Sequence, residues 1–134
     1  MSTPAELSAA LTSAVKAEDA CIYAYGVIGA QVSGTPQARA RRALASHRSW
    51  RDRLQAETPD VIPSAIAYDF PFPVNDPTSA KRLASLIENR MVGVYADLAA
   101  ASDTVLRTDA VTAAMECAER AVTWGAASQA FPQA

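Results

Sequence analysis

The sequence has little of several features that mark common protein classes. Its 134 residues include only two cysteines, Cys21 and Cys117, which is too few for a disulfide scaffold. Twelve basic against 14 acidic residues give a net charge of -2, so the chain has no bulk positive field to attract nucleic acid or an anionic membrane. We therefore expect no nucleic-acid partner.

Membrane and secretion signals are also missing from the sequence. The longest uncharged stretch, residues 20–38, contains glutamine, serine, glycine and proline, which is not the pattern of a membrane span. Residues 1–6 lack the basic patch and apolar run of a secretory signal. These absences predict a cytoplasmic protein with no membrane partner.

Glycine is scarce, with five residues, whereas alanine contributes 30, and alanine is the strongest helix former. The length suits one domain, residues 1–134, and the composition predicts that it is all-α. Three helix starts show a capping residue followed by proline: Thr3-Pro4, Thr35-Pro36 and Asp76-Pro77. With Gly34 as a stop for the first helix, we predict helices at about 4–32, 37–57, 78–101 and 104–128.

Residues at alternating spacings of four and three mark the inward side of each predicted helix, as in a bundle. The first helix has Leu7, Leu11, Ala14, Glu18, Cys21, Tyr25, Ile28 and Val32. For the fourth helix this spacing fits two alternative inward sides, Val111-Met115-Ala118-Val122 or Ala113-Cys117-Arg120-Trp124. Short links would make the first and second helices, and the third and fourth, antiparallel neighbours.

The connection between the second and third helices is long and rich in proline. Residues 59–77 hold five of the eight prolines together with Tyr68, Phe70 and Phe72. Such a segment cannot continue a helix and favours an extended chain. We predict a crossover that lies across an antiparallel four-helix bundle, joining two helical hairpins.

The two predicted hairpins resemble each other in sequence. Glu18 and Tyr25 match Glu88 and Tyr95 at an offset of 70, while His47 and Arg51 match Glu116 and Arg120 at an offset of 69. This repeat predicts that the first helix lies opposite the third, and the second opposite the fourth.

Charged residues fall on the predicted inner faces near the middle of the helices. They are Glu18, His47, Arg51 and Glu88, with Glu116 or Arg120 as further members. Buried charges without partners cost several kcal/mol, so we predict one mid-bundle polar cluster. Tyr25 and Tyr95, two turns from the glutamates, are expected in the core with their hydroxyls bonded nearby.

The combined motifs resemble an uncharacterised bacterial ferritin-like domain family. They are Glu18 with Tyr25-Gly26-Val27-Ile28-Gly29-Ala30, His47-Arg48-Ser49-Trp50-Arg51-Asp52, Tyr68-Asp69-Phe70-Pro71-Phe72-Pro73, and Trp124 with Phe131-Pro132. The resemblance spans nearly the whole chain and implies a ferritin-like fold without an established activity.

Ferritin-like di-iron proteins carry one glutamate on each of two helices and Glu-x-x-His on each of the other two. By this resemblance Glu18 and Glu88 match the lone glutamates and His47 matches one histidine, but Leu44 stands where its glutamate should be. The chain has no second histidine, and the arginines of the cluster would repel a dication. If a metal is bound, its ligands are expected to be Glu18, His47, Glu88 and Glu116.

These observations favour a protein without catalytic residues, metal or other cofactor, in which a Glu/His/Arg ion-pair network replaces a complete di-iron site. We expect it to act through association with itself, as a homodimer, or with another protein. Two alternatives stay open, an iron- or manganese-dependent oxidoreductase and a small-molecule binding protein, each using the mid-bundle cluster.

Overall fold

A computed structural model describes residues 2–125, and this part of the chain is an all-α four-helix bundle, as the sequence predicts. No strand occurs within it, and none of its helices is long and apolar enough to cross a membrane. The helices are α1 Pro4–Gln31, α2 Gly34–Gln55, α3 Pro77–Ala101 and α4 Thr104–Trp124.

Two of the three predicted helix starts have the expected caps. The Thr3 side chain accepts a hydrogen bond from the Glu6 N–H at the start of α1, and the Asp76 side chain accepts one from the Ser79 N–H at the start of α3. Each cap satisfies a backbone donor that has no partner within the helix. Proline follows both caps, so α3 begins at Pro77, one residue before the predicted start.

The predicted cap at Thr35 is wrong, because α2 begins at Gly34 with Ser33 as its N-cap. Gly34 has a φ of 62°, a left-handed conformation that glycine adopts without steric cost. It lies at the start of α2 and does not end α1, which stops at Gln31 with Val32 extended. The left-handed turn shortens the link between the two helices to two residues.

Two helix ends also differ from the prediction. α2 ends at Gln55 and not at residue 57, because the Glu57 and Thr58 N–H groups bond three residues back, which tightens the last turn. α4 ends at Trp124, because Gly125 has a φ of 118° and turns the chain out of the helix. Residues 126–128 of the predicted helix, like the Phe131-Pro132 motif, lie outside the described residues.

Helix directions follow from contacts between side chains. Tyr25 contacts Glu88, and Tyr95 contacts Glu18, so α1 and α3 run antiparallel. The two-residue link also makes α1 and α2 antiparallel, and α3 therefore runs in the same direction as α2. The segment between them has to travel the length of the bundle, as predicted for the crossover.

Aromatic residues hold the crossover against the helices. The Tyr68 and Phe70 rings lie 5.5 and 5.8 Å from the Tyr23 ring of α1, measured between centroids. The Arg82 guanidinium of α3 lies 4.1 Å from the centroid of the Phe72 ring. These contacts fix the segment along α1 and α3.

The inward side of α4 is the stripe of small residues and not the stripe of large apolar ones. Ala113 and Cys117 are fully buried, whereas Val111, Met115 and Val122 are 45%, 62% and 50% exposed. Small side chains let two helices approach closely, so this side of α4 packs against α3. The stripe Val111-Met115-Ala118-Val122, one of the two predicted, lies on the outside.

Burial corrects the register of the internal repeat between α2 and α4. Residues 41–50 and 111–120 show the same order of buried, partly buried and exposed positions. This match requires an offset of 70, as in α1 and α3. The predicted offset of 69 between these two helices is wrong by one residue. The structural counterpart of His47 is Cys117, and that of Trp50 is Arg120.

Candidate functional site

Three fully buried ionisable side chains meet at the centre of the bundle. Glu18 of α1, His47 of α2 and Glu88 of α3 are each 0% exposed. His47 Nδ1 lies 2.5 Å from Glu18 Oε1, and His47 Nε2 lies 2.9 Å from Glu88 Oε2. Since an ionised carboxylate only accepts hydrogen bonds, both ring nitrogens donate and the imidazole is a cation.

Two tyrosines complete the centre in a crossed arrangement. Tyr25 of α1 donates its hydroxyl to Glu88 Oε2 at 2.5 Å, and Tyr95 of α3 donates to Glu18 Oε2 at 2.7 Å. Burial, and then the charge of the neighbouring carboxylate, raises the pKa of each phenol far above its ordinary value. Both hydroxyls therefore stay protonated and act as donors.

Arg120 of α4 supplies the second cation. Its Nε donates to Glu88 Oε2 at 2.9 Å. Glu18 and Glu88 then carry two negative charges, and His47 and Arg120 carry two positive charges. The network is neutral as a whole, which is the condition under which buried charges are tolerated.

The network keeps the Glu88 carboxyl ionised and the His47 imidazole protonated. Burial alone would lower the pKa of His47, but its hydrogen bonds to Glu18 and Glu88, with the charges of both, raise it to about 9. Burial would raise the pKa of the Glu88 carboxyl, yet the hydrogen bond and charge of His47, followed by the charge of Arg120, lower it.

Arg51 lies apart from this centre. Its Nε donates to Asp19 Oδ1 at 2.9 Å, and its Nη1 lies 3.7 Å from Asp52. The structure therefore brings Arg51 to Asp19 on the edge of the α1–α2 interface, not to the central glutamates as the sequence suggested. The sequence pattern did not identify Asp19, because this residue lies next to Glu18 and outside the alternating spacing that marks the inward side of α1.

Glu116 lies at the boundary of the cluster. It accepts hydrogen bonds from Trp50 Nε1 at 3.1 Å and Ser46 Oγ at 3.5 Å, and its side chain is 39% exposed. Its distance to Arg120 Nη1 is 3.9 Å. Glu116 thus belongs to a partly solvated rim, where it bonds two α2 residues that the sequence analysis did not assign to the site.

Trp124 is a further member of the site that sequence patterns did not assign a role. Its indole N–H donates to the Tyr25 hydroxyl at 3.1 Å, so it extends the chain of hydrogen bonds from Glu88 to the end of α4. The available signal was its position four residues after Arg120 on the stripe Ala113-Cys117-Arg120-Trp124.

Comparison with known proteins places the chain in a family. Residues 10–134 match the family described as a domain of unknown function (DUF4439). The chain belongs to this family. The crystal structure of a conserved hypothetical protein, Rv2844 from Mycobacterium tuberculosis, is similar at 29% identity with a TM-score of 0.85, covering 92% of this chain and 97% of that one. No curated protein matches the sequence.

The residues of this DUF4439 chain do not fit a di-iron centre. With the offset of 70, the two Glu-x-x-His positions of di-iron bundles correspond to Leu44-x-x-His47 and Ala114-x-x-Cys117, neither of which contains a carboxylate. In addition, the Arg120 guanidinium bonds Glu88 directly. Two of the carboxylates needed for the pair of irons are replaced by apolar side chains.

A smaller ligand set lies within reach of one cation. One donor atom each from Glu18, Cys21 and His47 lies within 4.8 Å of the others, and buried Glu88 Oε1 has no hydrogen-bond partner among the described residues. Cys21 was not among the expected ligands, and Glu116 is not in this set. Burial, followed by the charge of Glu18, raises the pKa of the Cys21 thiol, so it would ligate a metal only by losing a firmly held proton.

The pKa of His47 predicts how stability depends on pH. The group is protonated in both states below its ordinary pKa of 6.5, so its stabilisation is fully present there and is lost as pH rises through about 9. We expect the free energy of unfolding to fall by about 3 kcal/mol between these pH values, as measured by urea unfolding.

Two substitutions separate His47 from other titrating groups. His47→Gln should remove most of this alkaline decrease, whereas Arg48→Gln, at an exposed position of the same helix, should retain it. Equal pH dependence in the wild type and His47→Gln would contradict an imidazolium at the centre.

Proposed function

We propose that this DUF4439 chain is a non-catalytic, ferritin-like bundle protein in which a neutral ion-pair network occupies the place of a metal centre. The proposal rests on the contacts of His47, whose two ring nitrogens bond Glu18 and Glu88 at 2.5 and 2.9 Å. Each of these three side chains is therefore hydrogen-bonded to another residue of the chain.

The connectivity supports the ferritin-like part of the proposal. Two helical hairpins, related by an offset of 70 residues, are joined by one crossover that runs the length of the bundle, which is the topology of ferritin-like folds. Equivalent glutamates, Glu18 and Glu88, lie at the same level on α1 and α3 and share one histidine.

A metal-dependent oxidoreductase is the second candidate, and two observations favour it. Buried Glu88 Oε1 lacks a partner among residues 2–125, and Glu18, Cys21 and His47 present donor atoms close together. One histidine, one thiolate and one carboxylate form a possible set for a single transition-metal ion. The proton on His47 and the Arg120 cation oppose this candidate.

Metal analysis distinguishes the two candidates. Protein purified without chelator, and then incubated with Fe²⁺ or Mn²⁺ and desalted, is expected to retain much less than one metal per chain, with no change in thermal stability. One tightly held ion per chain that is lost in His47→Ala but kept in Arg48→Ala would contradict the proposal and favour the oxidoreductase.

Self-association is the mode of action we propose, through the outer face of α4. Six exposed positions on this helix follow the alternating spacing of a coiled-coil seam, and none is charged: Thr104, Thr108, Val111, Met115, Ala118 and Val122. Such a face pairs with a helix that has the same spacing. The α4 helix of a second copy of this chain is such a helix. Pairing two of these faces would bring no like charges together and would bury Met115, now 62% exposed.

Met115→Glu tests this association. A carboxylate in the middle of the seam would have to be desolvated on pairing, so we expect a wild-type dimer in sedimentation velocity and a monomer for the variant. Ile66→Glu, at a crossover residue that is fully exposed, serves as the matched control and should remain dimeric. A monomeric wild type, or a dimer that Met115→Glu leaves intact, would contradict self-association through α4.

A further inference from the structure

A groove on the outside of the bundle shares one residue, Trp124, with the central site. It has a volume of about 780 Å³ and lies between the crossover, α3 and the end of α4. Its walls include Phe72 from the crossover, Leu86 and three cationic residues from α3, and Trp124 from α4. The volume lies in the range of small-molecule sites in proteins.

The charged residues that line the groove are all cationic. Lys81, Arg82 and Arg90 line it, and no acidic residue does. None of the three forms an ion pair with another residue of the range 2–125. By contrast, Arg51 and Arg120 each bond a carboxylate. A concave surface lined by cations concentrates positive potential, although the chain as a whole is negative.

Positioned polar and apolar groups accompany these cations. Arg82 is held over the Phe72 ring, with 4.1 Å between the guanidinium carbon and the ring centroid. Ser85 and Asn89, one helical turn apart on α3, add side chains that can donate hydrogen bonds. Leu86 and Trp124 supply apolar surface beside them.

We infer that this groove binds a small organic anion in which a carboxylate or phosphate adjoins an aromatic or other apolar portion. The anionic group would pair with Lys81, Arg82 and Arg90, because guanidinium and ammonium groups bind such oxygens with charge-assisted hydrogen bonds. The apolar portion would lie against Leu86 and Trp124. An inorganic anion alone would leave that apolar wall in water.

Trp124 connects the groove to the bundle centre. It lines the groove, and its indole N–H donates to Tyr25, which in turn donates to Glu88. A ligand against the indole would change the fluorescence of Trp124. The inference does not depend on the proposed function, because the central network would be unchanged if the groove bound nothing.

Titration calorimetry with three related probes tests the ligand class on the full chain. We expect 1-naphthyl phosphate to bind at one site per chain. 1-Naphthol, which has the ring without the charge, and inorganic phosphate, which has the charge without the ring, should each bind at least about tenfold more weakly. Equal affinity for naphthyl phosphate and either fragment would overturn the two-part ligand.

Paired substitutions test the location. Lys81→Ala with Arg90→Ala should weaken binding of 1-naphthyl phosphate at least about tenfold. Lys16→Ala with Arg48→Ala removes the same charge from exposed positions outside the groove and should leave the affinity unchanged. Equal losses in the two double variants would show bulk electrostatics and overturn the site.

Two further measurements complete the test. Circular dichroism of both double variants should match the wild type, since all four positions are exposed. Co-sedimentation of the wild type with phosphatidylglycerol vesicles, without binding of free 1-naphthyl phosphate, would assign the cations to a lipid surface and overturn the small-molecule site.

Discussion

The imidazolium of His47, held between the carboxylates of Glu18 and Glu88, is the interaction on which the rest of the structure depends. Two glutamates in the dry centre of a small bundle would be strongly unfavourable without a cation between them. The ring binds one oxygen from each and so fixes α1, α2 and α3 at one level. Tyr95 bonds the second oxygen of Glu18, whereas Tyr25 and Arg120 bond the same Glu88 Oε2 that accepts from His47. The hydrogen bonds of the centre therefore form one connected system.

The internal repeat explains both the order of this centre and its asymmetry. Each half contributes a glutamate and, seven residues later, a tyrosine that bonds the glutamate of the other half. The halves differ in how they supply positive charge. At the His47 position the second half has Cys117, and at the Trp50 position it has Arg120, so one half gives an imidazolium and the other a guanidinium. Together these two cations balance the charges of the two carboxylates. This set of residues suits a neutral ion-pair network better than it suits a metal site.

Local signals in the sequence were sufficient to predict much of the fold and the heart of the site. Capping residues before proline predicted two helix starts, because those contacts lie within four residues of one another. Glu18, His47 and Glu88 were identified because they are charged and occupy inward positions of the predicted helices. A buried charge requires a partner nearby, so these residues were expected to meet. The proline-rich crossover was equally clear, since proline excludes a helix.

Features that depend on contacts between helices could not be predicted in the same way. Large apolar residues on α4 suggested an inward stripe, but the close approach of α3 and α4 selects alanine and cysteine for the interior. Arg51 fell on the seam spacing of α2, yet its long side chain reaches Asp19 at the interface edge. The register of the repeat between α2 and α4 required knowing which side of each helix is buried.

The most direct test of the central claim is the protonation state of His47 in solution. It is the single histidine of the chain, so a ¹H–¹⁵N spectrum of the imidazole ring needs no assignment by mutation. Both ring nitrogens are expected to carry protons at neutral pH, and the ring is expected to lose one of them near pH 9. A neutral ring at pH 7, with one nitrogen unprotonated, or a ring nitrogen shifted by a bound metal, would contradict it.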